Sequence, residues 1–108
     1  MYTVLIIDDS PSMRRIIKDM INSIEEFEVV CVATDAYDAR EKIKEYEPDL
    51  VTIDINMPKM DGVTFLRNLM RLHPMPAVVI SGESVRGNDI FDDGAVGFIP
   101  KPATGESM

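Results

Sequence analysis

The sequence is poor in several things at once: one cysteine, one histidine, no tryptophan, and 11 Lys and Arg against 19 Asp and Glu. A lone thiol excludes an internal disulfide framework. Cys31 sits in the run Val29-Val30-Cys31-Val32-Ala33 and reads as a small buried hydrophobe. His73 has no Cys or second His to build a zinc site. Beside Pro74, it reads as an aid to a helix C-terminus. The formal net charge of −8 and pI near 4.5 argue against a nucleic-acid or anionic-membrane surface, because both need clustered Lys and Arg. No apolar run approaches the ~20 residues that a membrane-spanning helix requires. Asp8-Asp9 interrupts the first apolar run before it could act as a signal segment, so the expected compartment is the cytoplasm.

What is present is a regular alternation within one domain of 108 residues. Residues 3–8, 28–33, 49–54, 76–81 and 95–99 read as short strands rich in β-branched residues. Asp9-Ser10-Pro11-Ser12 supplies helix-start chemistry. Met13, Ile16, Ile17, Met20, Ile21 and Ile24 then follow as one apolar face. Asp35 caps a second helix with the stripe Ala36, Ala39, Ile43 and Tyr46, stopped by Pro48. A loop holding Pro58 and Gly62 leads into a third, with Phe65, Leu66, Leu69 and Met70 inward. Residues 83–93 form a weak helix with Val85, Ile90 and Phe91 left to pack. The eight methionines mostly fill the core, with Met57 and Met60 in the loop after Asp54. Strands that are continuously apolar and alternate with helices imply a parallel sheet covered on both faces, an α/β fold. There is no internal repeat and no low-complexity linker.

In such a sheet all carboxyl ends share one edge, where open α/β folds bind ligands. Asp8 and Asp9 end the first strand, Asp54 the third and Ser81 the fourth, and Lys101 follows the fifth. Three acids, one hydroxyl and one ammonium are thus brought to one crevice. Two carboxylates about 4 Å apart at an effective dielectric near 20 repel by roughly 4 kcal/mol. A divalent cation removes that penalty, and a set of oxygen donors suits Mg²⁺. The metal and Lys101 can receive a phosphoryl group, Ser81 can donate to one of its oxygens, and Asp54 can attack phosphorus in line. Phosphoryl transfer needs chiefly positioning and charge neutralisation.

Taken in order, Asp8-Asp9, Asp54-x-x-Met57-Pro58-x-Met60-Asp61-Gly62, Ser81, Gly94-Ala95, Phe98 and Lys101-Pro102 resemble the receiver domain of bacterial two-component response regulators. The resemblance covers nearly the whole chain. It implies a doubly wound, flavodoxin-like sheet of order 2-1-3-4-5. It implies that Asp54 accepts phosphate from a histidine kinase and that the chain catalyses only its own phosphorylation and dephosphorylation. It implies Mg²⁺ held by Asp9, Asp54 and the backbone carbonyl of Asn56, with Asp8 helping through water. Lys101 and Ser81 would contact the phosphoryl group, and a cis peptide would precede Pro102. In the implied switch, phosphorylated Asp54 draws Ser81 inward and the Phe98 ring turns into the vacated space. A downstream target or fused output domain reads that change. Ser10-Pro11-Ser12-Met13-Arg14-Arg15 and residues 28–48 resemble chemotaxis receivers. The run from Gly94 to Pro102 resembles the receiver of the chemotaxis methylesterase, whereas Asn56 and Glu83 resemble the stand-alone chemotaxis regulator.

The family pattern is not complete. Residues 1–102 are read as the receiver and 103–108 as a tail, the start of a linker or of a shortened fifth helix, since six residues fall short of the roughly eleven of an average helix. One sheet face would then be covered by the first helix alone, and a homodimer through that face is expected. Four other functions compete, one of them an assembly or sink element whose site is intact but which has no output of its own. A receiver fragment of a protein-glutamate methylesterase fits the C-terminal run. An aspartate-nucleophile phosphatase would want Asp-x-Asp at a strand end, which neither Asp8-Asp9-Ser10 nor Asp54-Ile55-Asn56 supplies. A nucleotide-binding module would want glycines after the first strand, where Asp8-Asp9-Ser10-Pro11 stands instead.

Overall fold

The structure, a computed structural model, describes residues 1–55, 57, 59–81 and 87–100. Five strands, β1 (Tyr2–Ile7), β2 (Phe27–Ala33), β3 (Leu50–Asp54), β4 (Ala77–Ser81) and β5 (Gly97–Pro100), form one sheet in the order β2-β1-β3-β4-β5. Every neighbouring pair is parallel. Four helices intervene: α1 (Pro11–Asn22), α2 (Ala36–Tyr46), α3 (Gly62–Leu72) and α4 (Gly87–Asp92). The expected architecture and strand order are both present.

Covering both faces explains the unbroken apolar strands. Successive side chains alternate between faces, so Leu5, Ile7, Val51, Ile53 and Val79 point one way, against Ala36, Ala39 and Ile43 of α2, Phe65, Leu66 and Leu69 of α3, and Ile90 of α4. Val4, Ile6 and Ile80 point the other way, against Met13 and Ile17 of α1. The helical residues of this second cluster all come from α1. The expectations of a missing fifth helix and of a cis peptide before Pro102 concern residues 101–108, outside the described residues.

Helix starts follow the capping chemistry of the sequence. Ser10 Oγ accepts from the Met13 N–H at 3.3 Å with Pro11 in the first turn. Asp35 Oδ1 accepts from the Asp38 N–H at 2.8 Å, and Asp61 Oδ1 from the Thr64 N–H at 2.9 Å. Each satisfies a donor that the first helical turn leaves unpaired. α2 ends at Glu47, which adopts a left-handed conformation (φ 45°) before Pro48.

Several expectations are corrected. The α1 face is narrower than its apolar spacing suggests: Met20 and Ile24 are exposed, and Ile24 lies past the helix end, its N–H donating to Ile21 in a turn. Tyr46 in the last turn of α2 is exposed, as is Phe91, whereas its neighbour Ile90 is fully buried. Cys31 is half-buried, because β2 is an edge strand; burial still raises its thiol pKa. The last strand begins at Gly97, two residues later than expected. Gly94 and Ala95 close α4 by donating to Phe91 and Ile90, and Gly94 takes a φ of 111° that favours glycine. Of the weak helix expected over 83–93, the described part is Gly87–Asp92, and residues 83–86 lie outside the described residues.

Candidate functional site

β1 and β3 are adjacent at the centre of the sheet, in the register Ile7 opposite Ile53. The residues that follow, Asp8 and Asp54, are therefore neighbours at the carboxyl edge. Both are almost fully buried, whereas Asp9 is exposed. One carboxylate oxygen from each of Asp8, Asp9 and Asp54 lies within 4.8 Å of the others. Asp8 is fixed by hydrogen bonds to its neighbours. The Asp8 N–H donates to the Ala33 carbonyl at 3.0 Å, carrying the β1–β2 ladder one step past the strand. Asp8 Oδ1 accepts from the Ser10 N–H at 2.9 Å, and Arg14 Nη1 donates to the Asp8 carbonyl at 2.8 Å. The first turn of α1 is thereby pinned beside the acids.

The other wall is the β3–α3 loop. The Gly62 N–H donates to the Ile55 carbonyl at 2.8 Å, and the Met57 N–H to the same oxygen at 3.2 Å. Lys59 stands in the left-handed region (φ 70°), and its Nζ reaches Asp35 Oδ2 at 3.3 Å. Asp35 is held below the ordinary carboxylate range, chiefly by the Asp38 N–H, with Lys59 adding to it. This ion pair ties the loop that leaves Asp54 to the N-cap of α2.

Ser81 is fully buried at the end of β4, in register with Pro100 of β5. Phe98, in register with Val79, is half-buried and packs against the core cluster of α2 and α3. Alternation puts Ser81 and Phe98 on the same face of adjacent strands, offset by two residues. Asn56, Glu83 and Lys101, the remaining expected positions, lie outside the described residues.

Three hard oxygen donors, two buried and one reaching solvent, suit a small divalent cation such as Mg²⁺. Residues 4–108 match the profile of the response regulator receiver domain. The chain belongs to the response regulator receiver family. It is 54% identical over 103 residues to a protein-glutamate methylesterase/protein-glutamine glutaminase of Hydrogenovibrio crunogenus, covering 92% of this chain and 27% of that protein. It is 50% identical over 104 residues to one of Vibrio vulnificus, covering 93% of this chain and 30% of that protein. The receiver thus spans less than a third of these relatives. Among solved structures, the response regulator domain of Thermotoga maritima CheB superposes with a TM-score of 0.86 at 37% identity, covering 94% of this chain and 79% of that one. A chain of the CheX–CheY–BeF₃–Mg²⁺ complex from Borrelia burgdorferi gives 0.85 at 35% identity, covering 95% and 80%.

Two parts of the receiver site escape sequence reasoning. The Lys59–Asp35 pair joins residues far apart in the chain with no local pattern to reveal it. Arg14 had a readable signal: once Ser10 is the N-cap, Arg14 falls one turn into α1, within reach of the strand end that precedes the cap.

Proposed function

We propose that this receiver takes one phosphoryl group on Asp54 in the presence of Mg²⁺ and passes the change to an output partner. The observation that carries this reading is the gathering of Asp8, Asp9 and Asp54 at the central strand ends, with Asp54 nearly buried and Asp9 open to solvent. An Asp54 carboxylate oxygen forms a bond to phosphorus as the bond from phosphorus to the donor breaks. The donor is the phosphohistidine nitrogen of a kinase or the acyl oxygen of acetyl phosphate, and the leaving group takes the bonding electron pair. Mg²⁺ would be held by Asp9, Asp54 and the Asn56 backbone carbonyl, with Asp8 helping through water, and would supply the neutralising charge that lets an anionic phosphoryl group approach three carboxylates. Ser81 donates a hydrogen bond from its hydroxyl to a phosphoryl oxygen, and Lys101 contributes an ammonium. When Ser81 is drawn toward the phosphoryl group, the Phe98 ring turns inward, and the two packings form the switch.

The methylesterase relatives, of which the chain spans less than a third, favour a methylesterase in a longer polypeptide as the output. Residues 1–102 as its regulatory domain with 103–108 as a tail, a histidine kinase as donor and a cytoplasmic setting follow from the receiver reading. The test is intact-mass spectrometry of the chain after incubation with acetyl phosphate. One phosphoryl increment appears with Mg²⁺ and vanishes with a chelator; equal labelling without divalent metal would contradict the reading.

A further inference from the structure

A groove of about 350 Å³ runs between α2 and α3, away from the acidic cluster. Its floor is apolar, formed by Ile43, Met60, Phe65 and Leu69, with the exposed Leu72 at one end. Its rim carries the basic side chains Arg40 and Lys44 together with His73, and no Asp or Glu lines it. That is unusual on a chain of net charge −8. The bias comes from how α2 is rotated. Asp38 and Glu45, with Lys42, lie on its other flank, where their charges act on Cys31 of β2. Among the described residues neither Arg40 nor Lys44 forms an ion pair.

We propose that this groove docks an acidic amphipathic helix of a separate partner protein. Both walls are helices whose backbone groups bond internally, so the groove offers no strand edge to an extended peptide. An occupant must bring its own satisfied backbone, as a helix does, and lay an apolar stripe on the floor. Flanking carboxylates on that helix meet Arg40 and Lys44, while a basic helix is repelled by them. The groove also borders the loop that leaves Asp54: Met60 forms part of its floor, and Lys59 is tied to the cap of α2.

The probe is a stapled helical peptide with a leucine stripe flanked by glutamates, titrated into the full ¹⁵N-labelled chain and followed by NMR. Resonances of Tyr37, Arg40, Lys44 and Leu72 shift. The same peptide with lysines for glutamates binds about tenfold or more weaker, and the R40E/K44E double variant reverses that preference. Phosphorylation of R40E/K44E by acetyl phosphate stays at the level of the unsubstituted chain, which separates this result from the fate of the Asp54 reading. Equal affinity for both peptides, shifts that map elsewhere, or no binding would overturn the proposal. So would dimerisation of the chain alone that Leu72→Asp abolishes in sedimentation, since a second copy would then be the occupant.

Discussion

Asp54→Asn loses phosphoryl uptake from acetyl phosphate by at least about 10²-fold, as read by intact mass in saturating Mg²⁺. An amide lacks the anionic oxygen that attacks phosphorus, and Asp8 and Asp9 do not replace it. Asp8 Oδ1 is engaged by the Ser10 N–H, and Asp9 sits at the open side of the cluster. The substitution also removes one of three mutually repelling charges. Without divalent metal, Asp54→Asn therefore unfolds at a temperature no lower than the unsubstituted chain, and the stabilisation that Mg²⁺ gives the latter is largely absent. Loss of labelling with fold retained assigns the residue to chemistry rather than to architecture. Undiminished labelling would place the acceptor elsewhere.

Gly62→Ala destabilises the domain by about 1–3 kcal/mol or more, measured by urea unfolding. A Cβ at Gly62 would lie 2.4 Å from the Asp54 carbonyl oxygen and 2.7 Å from the Ile55 Cα. Both are backbone atoms, so no side chain can swing aside. Relief requires α3 to move off β3, which disturbs the Gly62–Ile55 hydrogen bond and the strand end that carries Asp54. Phosphoryl uptake falls along with stability. At Gly94 the nearest atom to an added Cβ is Met70 Cγ, the interior of a flexible side chain. There the Met70 side chain must shift and the positive φ adds strain, while the acidic edge stays in place.

The legible parts of this protein were those written in short stretches of chain. An apolar run that ends in Asp declares a strand with an acid at its exit, so Asp8, Asp9 and Asp54 are legible without the pairing of β1 with β3. Ser10 and Asp35 were readable as caps because capping depends on residues three apart. Other features depend on where elements settle. Met20 and Ile24 continue the apolar spacing of α1, yet the residues that meet the sheet are Met13 and Ile17 with Ile16 and Ile21 beside them, while Met20 stays at the exposed margin of the stripe and Ile24 lies past the helix end. The start of β5 moved because Ala95 returns its N–H to Ile90, a choice made by helix closure rather than by β propensity. The Lys59–Asp35 tether and the cationic rim of the α2–α3 groove exist only once distant segments are side by side.

The most direct test is a crystal structure of the chain grown with Mg²⁺ and beryllofluoride. The expected result is a metal ion between Asp8, Asp9 and Asp54 and a tetrahedral beryllofluoride bonded to an Asp54 oxygen, with Ser81 turned toward it. Carboxylates splayed apart with neither ligand present, or beryllofluoride on another side chain, would contradict it.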